Sequence, residues 1–338
     1  MIDTAGAPTL AALAARHGWW IGPAVSARAL AADPAYAETL GREFNVLTPE
    51  NEMKWGPVHP HPAGYDFAPA DAIVAFARSR GLAAHGHTLV WHNQNPAWLA
   101  ESAASREAMI GHLRQHIATV AGRYAGVAAA WDVVNEAVVE DGSLRPTLWL
   151  ERVGPDYVDL AFRAAGAAAQ QARLLYNDYG IEEPNPKSDG VYRLLSGMLA
   201  RGVPLHGVGF QMHLGLAGVD PQGLARNLQR FADLGLQLYV TEMDVRIDLP
   251  ATAPKLARQA AVYRSVVEVC LAQPACRALQ TWGFTDKYSW IPRFRPGFGA
   301  ALLLDESYAP KPAYHAVREA LARAAPRPPA PEPAPLTP

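Results

Sequence analysis

Short runs of apolar residues alternate along this chain with longer segments in which apolar positions return every three or four residues. The short runs read as buried strands and the longer segments as helices packed over them. Strands are predicted at Trp19–Val25, Phe44–Thr48, Leu82–His92 and Ala128–Glu136. Four more follow at Ala172–Asp178, Leu205–His213, Leu236–Asp244 and Ala278–Asp286. Asp71–Arg80 carries the stripe Ile73, Val74, Phe76 and Ala77 before Gly81, a residue suited to ending a helix. Arg106–Tyr124 repeats the pattern with Ile110, Leu113, Ile117 and Val120. Further helices are expected at Tyr157–Gln171, Asp189–Ala200, Gln222–Leu234, Lys255–Leu271 and Lys311–Ala324. Eight strands alternating with helices in one core predict an α/β fold, a single (β/α)8 barrel.

The strands end in polar residues. Glu50, Asn51 and Lys54 follow the second, His87 and Trp91 lie on or after the third, and Asn135 and Glu136 close the fourth. Later strands supply Asn177 and Asp178, Gln211 and His213, and Glu242 and Asp244, with Trp282 and Trp290 after the last. In a barrel of this kind the site is built at the carboxyl ends of the strands. One such residue would ordinarily be a helix cap or a satisfied buried polar group. That reading does not explain why nearly every strand ends this way. Glu136 and Glu242, 106 positions apart, are two carboxylates at the ends of two parallel strands, as glycosidic-bond hydrolysis requires. The tryptophans add flat faces suited to sugar rings.

At 338 residues, half of them hydrophobic, the chain has enough material for a large barrel core. A net charge of −2 gives no electrostatic case for nucleic acid or an anionic membrane. No apolar run approaches the roughly 20 residues of a membrane span, and Met1–Arg16 lacks the pattern of a signal peptide. Residues 1–325 are read as one catalytic domain, and 326–338, more than half proline, as a disordered tail or linker remnant. Cys270 and Cys276 fit neither a redox CxxC pair nor a zinc site. Their spacing reads as two thiols in or beside a helix, with a short-loop disulfide as the alternative. His85-Gly-His87 raises a metal site completed by His213 and Asp286, but no second His-x-His accompanies it. The favoured reading has no metal and no cofactor: His87 holds a carboxylate or a sugar hydroxyl, and His85 is buried structure.

Seven segments together carry a resemblance. They are Glu50–Trp55 (ENEMKW), Gly86–His92 (GHTLVWH), Trp131–Glu136 (WDVVNE), Tyr176–Tyr179 (NDY after Tyr), Gly209–His213 (GFQMH), Thr241–Asp244 (TEMD) and Thr281–Trp290 (TWGFTDKYSW). In this order they resemble glycoside hydrolase family 10, the endo-β-1,4-xylanases, over about Leu10 to Leu321. The resemblance implies a retaining mechanism with Glu136 as acid/base and Glu242 as nucleophile, whose carboxyls would stand about 5–5.5 Å apart. It implies that Glu50, Asn51, Lys54, His87, Trp91, Asn135, Gln211, His213, Trp282 and Trp290 bind substrate. His213 would contact Glu242, and Asp244 would orient that imidazole. Cys270 and Cys276 sit where many members carry a disulfide, which implies an oxidised pair and an extracellular protein; a cytoplasmic one is the alternative. The expected partner is xylan or its oligosaccharides, bound by a monomer. Arg293 and Arg295 in Ile291–Pro296 depart from the usual small or neutral residues. Glu182 or Glu183 stands for a usual glycine, and Asn93 for a common serine.

Overall fold

The computed structural model describes residues 8–102 and 105–326; most of the proline-rich tail, 327–338, lies outside them. Eight parallel strands close a ring: β1 (Trp20–Val25), β2 (Val46–Pro49), β3 (Ala83–Val90), β4 (Ala128–Asn135), β5 (Arg173–Asp178), β6 (Gly207–Phe210), β7 (Gln237–Asp248) and β8 (Cys276–Thr281). Neighbours in sequence pair in register, as in Asn135 beside Asn177 and Asn177 beside Gly209. The ring closes where β8 pairs with both β7 and β1. Because every strand is buried on both faces, its sequence is a nearly continuous apolar run.

The major helices are α1 (Pro34–Glu43), α2 (Ala68–Arg80), α3 (Arg106–Arg123), α4 (Tyr157–Ala168), α5 (Pro186–Ala200), α6 (Pro221–Ala232), α7 (Ala253–Ala272) and α8 (Pro312–Arg323). Several begin on side chains that accept from otherwise unpaired N–H groups: Asp33 for α1, Ser105 for α3, Asn185 for α5 and Asp220 for α6. Most of the core lies between helices and strands. A smaller apolar layer fills the barrel's interior, where Ala130, Leu175, Tyr239 and Ala278 pack with Trp20. This plug leaves polar chemistry to the other end.

Three expectations need correction. Helix α1 was not among the predicted elements, although Asp33-Pro34 is a cap followed by a proline suited to the first turn. The sixth strand does not run unbroken to His213. It stops at Phe210, Met212 turns into the left-handed region with φ +62°, and a short strand resumes at His213–Gly215. The eighth strand ends at Thr281, so Trp282 to Thr285 are loop and Asp286 opens a short 3-10 helix, Asp286–Tyr288. Cys270 closes the last turn of α7 and Cys276 opens β8, so the turn between them joins the two elements. Both side chains are buried in the main hydrophobic cluster.

Candidate active site

Above the apolar plug, a chain of hydrogen bonds crosses the barrel. The Thr48 hydroxyl donates to Gln280 Oε1 (2.8 Å), and Gln280 Nε2 lies 2.8 Å from His85 Nδ1. His85 Nε2 and His87 Nδ1 then meet the two oxygens of Asp132, at 3.0 and 2.8 Å. All five side chains are buried. Burial would raise the Asp132 carboxyl, but the two imidazoles hold it down at about 2. Alternation on β3 puts both histidines inside the barrel and Gly86 outside. A Cβ at Gly86 would stand 2.3 Å from the Trp131 ring, so glycine makes room for that indole. His85 and His87 thus converge on Asp132, while Asp286 bonds Lys311 (2.7 Å) and His213 belongs to another cluster. The four residues of the metal alternative do not meet. Among the described residues, no group of three His, Cys, Asp or Glu is arranged for a metal.

The next layer holds Glu242, only 4% exposed. Asn177 Nδ2 donates to Glu242 Oε1 at 2.7 Å and to Asn135 Oδ1 at 2.9 Å. A Cβ at Gly209 would lie 2.2 Å from Asn177 Oδ1, so glycine gives this amide its place between strands. His213 Nε2 stands 3.1 Å from Glu242 Oε2, and its Nδ1 stands 2.9 Å from Asp244 Oδ2. Trp290 Nε1 donates to the same Asp244 oxygen at 2.8 Å. Burial would lower the His213 imidazole, but Asp244 and then Glu242 outweigh it, and its pKa is pushed up to about 10. Burial likewise works to raise Glu242, yet the His213 hydrogen bond and the imidazoles of His87 and His213 hold it below the usual glutamate value. Glu242 is an ionised carboxylate backed by a protonated imidazole.

Glu136 lies on the same cleft, 9% exposed. Trp91 Nε1 donates to Oε2 at 2.9 Å, and Gln211 Nε2 and Asn135 Nδ2 donate to Oε1 at 2.9 and 3.3 Å. Its backbone has φ +57°, a conformation costing a non-glycine residue on the order of 1–3 kcal/mol. Bonds on either side hold it there. The Glu136 N–H donates to Asn177 O (2.9 Å), and Arg145 Nε donates to Glu136 O (2.8 Å). The Ala137 N–H donates to the Tyr176 hydroxyl (3.0 Å), which donates to Asp178 Oδ2 (2.6 Å). Asp178 is fully buried and pairs with Lys187 at 3.0 Å; burial prevails, and its carboxyl is pushed up to about 7.

The cleft has a volume of about 740 Å³. Every residue expected to bind substrate lines it: Glu50, Asn51, Lys54, His87, Trp91, Asn135, Gln211, His213, Trp282 and Trp290. Lys54 is buried beneath two indoles, with Nζ 4.9 Å from the Trp91 ring centre and 5.6 Å from that of Trp282. It donates to Asn51 Oδ1 at 2.9 Å, and burial lowers its pKa. Asp244 lies behind His213 and is not part of the lining. His92 and Tyr179 line the cleft without having been expected there, and Glu182 and Phe294 line it from the two stretches that depart from the family pattern. Asp132, Tyr176 and Arg145 were missed as supports. Asp132 had a signal: a carboxylate inside the apolar run Ala128–Val134 needs a buried partner, and His85-Gly-His87 on the preceding strand provides two.

Comparison with known proteins matches residues 9–320 to glycosyl hydrolase family 10. Endo-1,4-beta-xylanase B of Thermotoga neapolitana is 48% identical over 285 residues, covering 84% of this chain and 82% of the relative. Endo-1,4-beta-xylanase 5 of Pyricularia oryzae is 40% identical, covering 96% of this chain and 81% of the relative. Among solved structures, xylanase 10B of Thermotoga maritima superposes with a TM-score of 0.91 at 46% identity, covering 93% of this chain and 98% of that one. The enzyme of Thermotoga petrophila RKU-1, solved with xylobiose, gives 0.91 at 45% identity, covering 93% of this chain and 97% of that one. With its matched length, its closed barrel and two glutamates on one cleft, the chain belongs to glycosyl hydrolase family 10.

Proposed function

We propose that this protein is a retaining endo-1,4-β-xylanase that cleaves internal bonds of xylan by double displacement. The observation carrying this reading is the unequal setting of the two glutamates. Glu242 is buried, ionised and aligned by Asn177 and His213. Glu136 stands on the same cleft with its carboxyl held by Trp91 and Gln211. The relatives' xylanase activity and the xylobiose in one solved relative support the substrate class.

In the first step Glu136 gives its proton to the glycosidic oxygen while a Glu242 oxygen attacks the anomeric carbon from the opposite face. The leaving chain departs as an alcohol, and the sugar remains as an ester of Glu242. That ester carries no charge, so His213 would face an uncompensated loss were Asp244 not bonded to its other nitrogen. Glu136, now a carboxylate, takes a proton from water, which opens the ester and restores both glutamates. Asn135 is assigned to the sugar 2-hydroxyl, an interaction that strengthens in the transition state. Trp282 and Trp290, which line the cleft, are assigned to the position where glucose would carry its 6-hydroxymethyl group, favouring xylose by exclusion.

Release of reducing ends from beechwood xylan and from carboxymethylcellulose, each with and without EDTA, tests the substrate and the metal-free chemistry together. Proton NMR of the first product tests the stereochemistry: retention gives the β anomer before mutarotation. Rapid appearance of the α anomer, or activity lost to EDTA, overturns the reading. We propose an extracellular location, since intact xylan is too large to enter a cell; fractionation of the producing cells tests it, and recovery of the enzyme in the cytoplasm overturns it.

A further inference from the structure

The cleft does not stop at Trp290. The next turn, Ile291–Phe294, folds back so that the Phe294 ring sits 4.6 Å from the Trp290 ring, tilted by 35°. Phe294 lines the cleft, yet it is 70% exposed, the most exposed large apolar side chain among the described residues. Its support is rigid. Trp290 is anchored to the buried Asp244 through its indole N–H, and the Phe294 N–H donates to Trp290 O at 3.1 Å. An exposed phenyl ring continuing an indole along a sugar cleft is a platform for a further sugar ring.

Two cations flank it. Arg293 and Arg295 are both exposed, and among the described residues neither guanidinium pairs with a carboxylate. Arg295 lies 5.1 Å over the Phe298 ring. The carboxylate on the strand paired with Phe298, Asp248, is already bound to Lys255 at 2.8 Å. Two exposed guanidinium side chains without a carboxylate partner among the described residues therefore border Phe294 on either side along the chain, and guanidinium is suited to bidentate capture of a carboxylate.

We propose that Trp290–Arg295 forms an outer subsite for acid-substituted xylan: Phe294 carries a chain sugar beyond Trp290, and Arg293 and Arg295 hold the carboxylate of a uronic-acid branch. The proposal rests on the reading of the cleft as a xylan site and adds a preference that the cleft floor does not contain. Hydrolysis of unbranched xylo-oligosaccharides by the parent protein tests that underlying reading separately.

The discriminating experiment compares the parent with Arg293→Ala/Arg295→Ala on glucuronoxylan and on neutral arabinoxylan, at low salt and at 0.5 M NaCl. Exposed charge pairs of this kind lead us to expect kcat/KM on glucuronoxylan to fall about two- to fivefold at low salt. The deficit should vanish at high salt, where screening removes the parent's advantage. Arabinoxylan kinetics should change by less than the error at either salt. Equal losses on both polymers, or no loss on the acidic one, overturn the charge assignment. Phe294→Ala is read on a ladder of unbranched xylo-oligosaccharides. KM should rise severalfold for the longest and stay unchanged for those too short to reach the platform, with kcat constant. A uniform change along the ladder refutes the stacking role.

Discussion

Replacing Asp244 by asparagine tests the electrostatic arrangement behind Glu242. The substitution keeps the side chain's shape and its acceptor for Trp290 but removes the anion bonded to His213 Nδ1. In the parent, His213 has its pKa raised from 6.5 to about 10. Between those values the folded protein keeps a proton that the unfolded chain has lost, so stability falls as pH rises, by about 1.4 kcal/mol per pH unit. The stabilisation is complete below pH 6.5, gone above about pH 10, and on the order of 5 kcal/mol across the window. In Asp244→Asn only Glu242 still faces the imidazole, the His213 pKa drops, and the window closes at lower pH. Urea unfolding of both proteins from pH 6 to pH 10, followed by circular dichroism, gives the difference in stability at each pH. Titrations common to both cancel in that difference. The parent should lead by about 2–5 kcal/mol near pH 6, from the lost charge-assisted bond and the amide left buried without a partner. That lead should then shrink by about 1.4 kcal/mol per unit where only the parent holds the proton. A difference independent of pH would refute the assignment of a protonated, Asp244-bound His213.

Glu242→Ala and Glu136→Ala should both abolish xylan hydrolysis and differ in azide rescue, the first giving an α-glycosyl azide and the second the β anomer; identical anomers by NMR would show the roles are misassigned. Tyr176→Phe removes the acceptor for Ala137 N–H. It should lower kcat roughly ten- to hundredfold through displacement of Glu136, with KM nearly constant, in steady-state assays. Gly86→Ala would push a Cβ against the buried Trp131 ring. A loss of about 2 kcal/mol or more is expected in urea unfolding, and an unchanged midpoint would refute the packing argument.

The barrel was legible because a parallel strand buried on both faces leaves a local mark, an apolar run bounded by polar residues, as in Ala128–Asn135. The tryptophans and amides of the cleft were legible for a related reason. They follow those runs directly, at the end where this architecture builds its sites. Helix α1 was missed although its cap at Asp33 is a local signal. The break at Met212 is different: a backbone reversal to φ +62° leaves no trace in the hydrophobic pattern of Leu205–His213. The disulfide was an inference from resemblance, and spacing alone had left it open; both cysteines lie in the core where α7 passes into β8.

What only the tertiary structure decided is who supports whom. The sequence by itself determined that buried histidines, a buried aspartate and a glutamine lie on separate strands, each needing a partner. Ring closure decided that they would partner one another: it brings Gln280 to His85 across 195 positions and Thr48 to Gln280 across 232. Periodicity is a property of neighbours along the chain, whereas these bonds depend on the stagger of eight strands around a closed barrel. The same closure sets His213 between Glu242 and Asp244, and that placement keeps the Glu242 carboxylate of the cleft ionised.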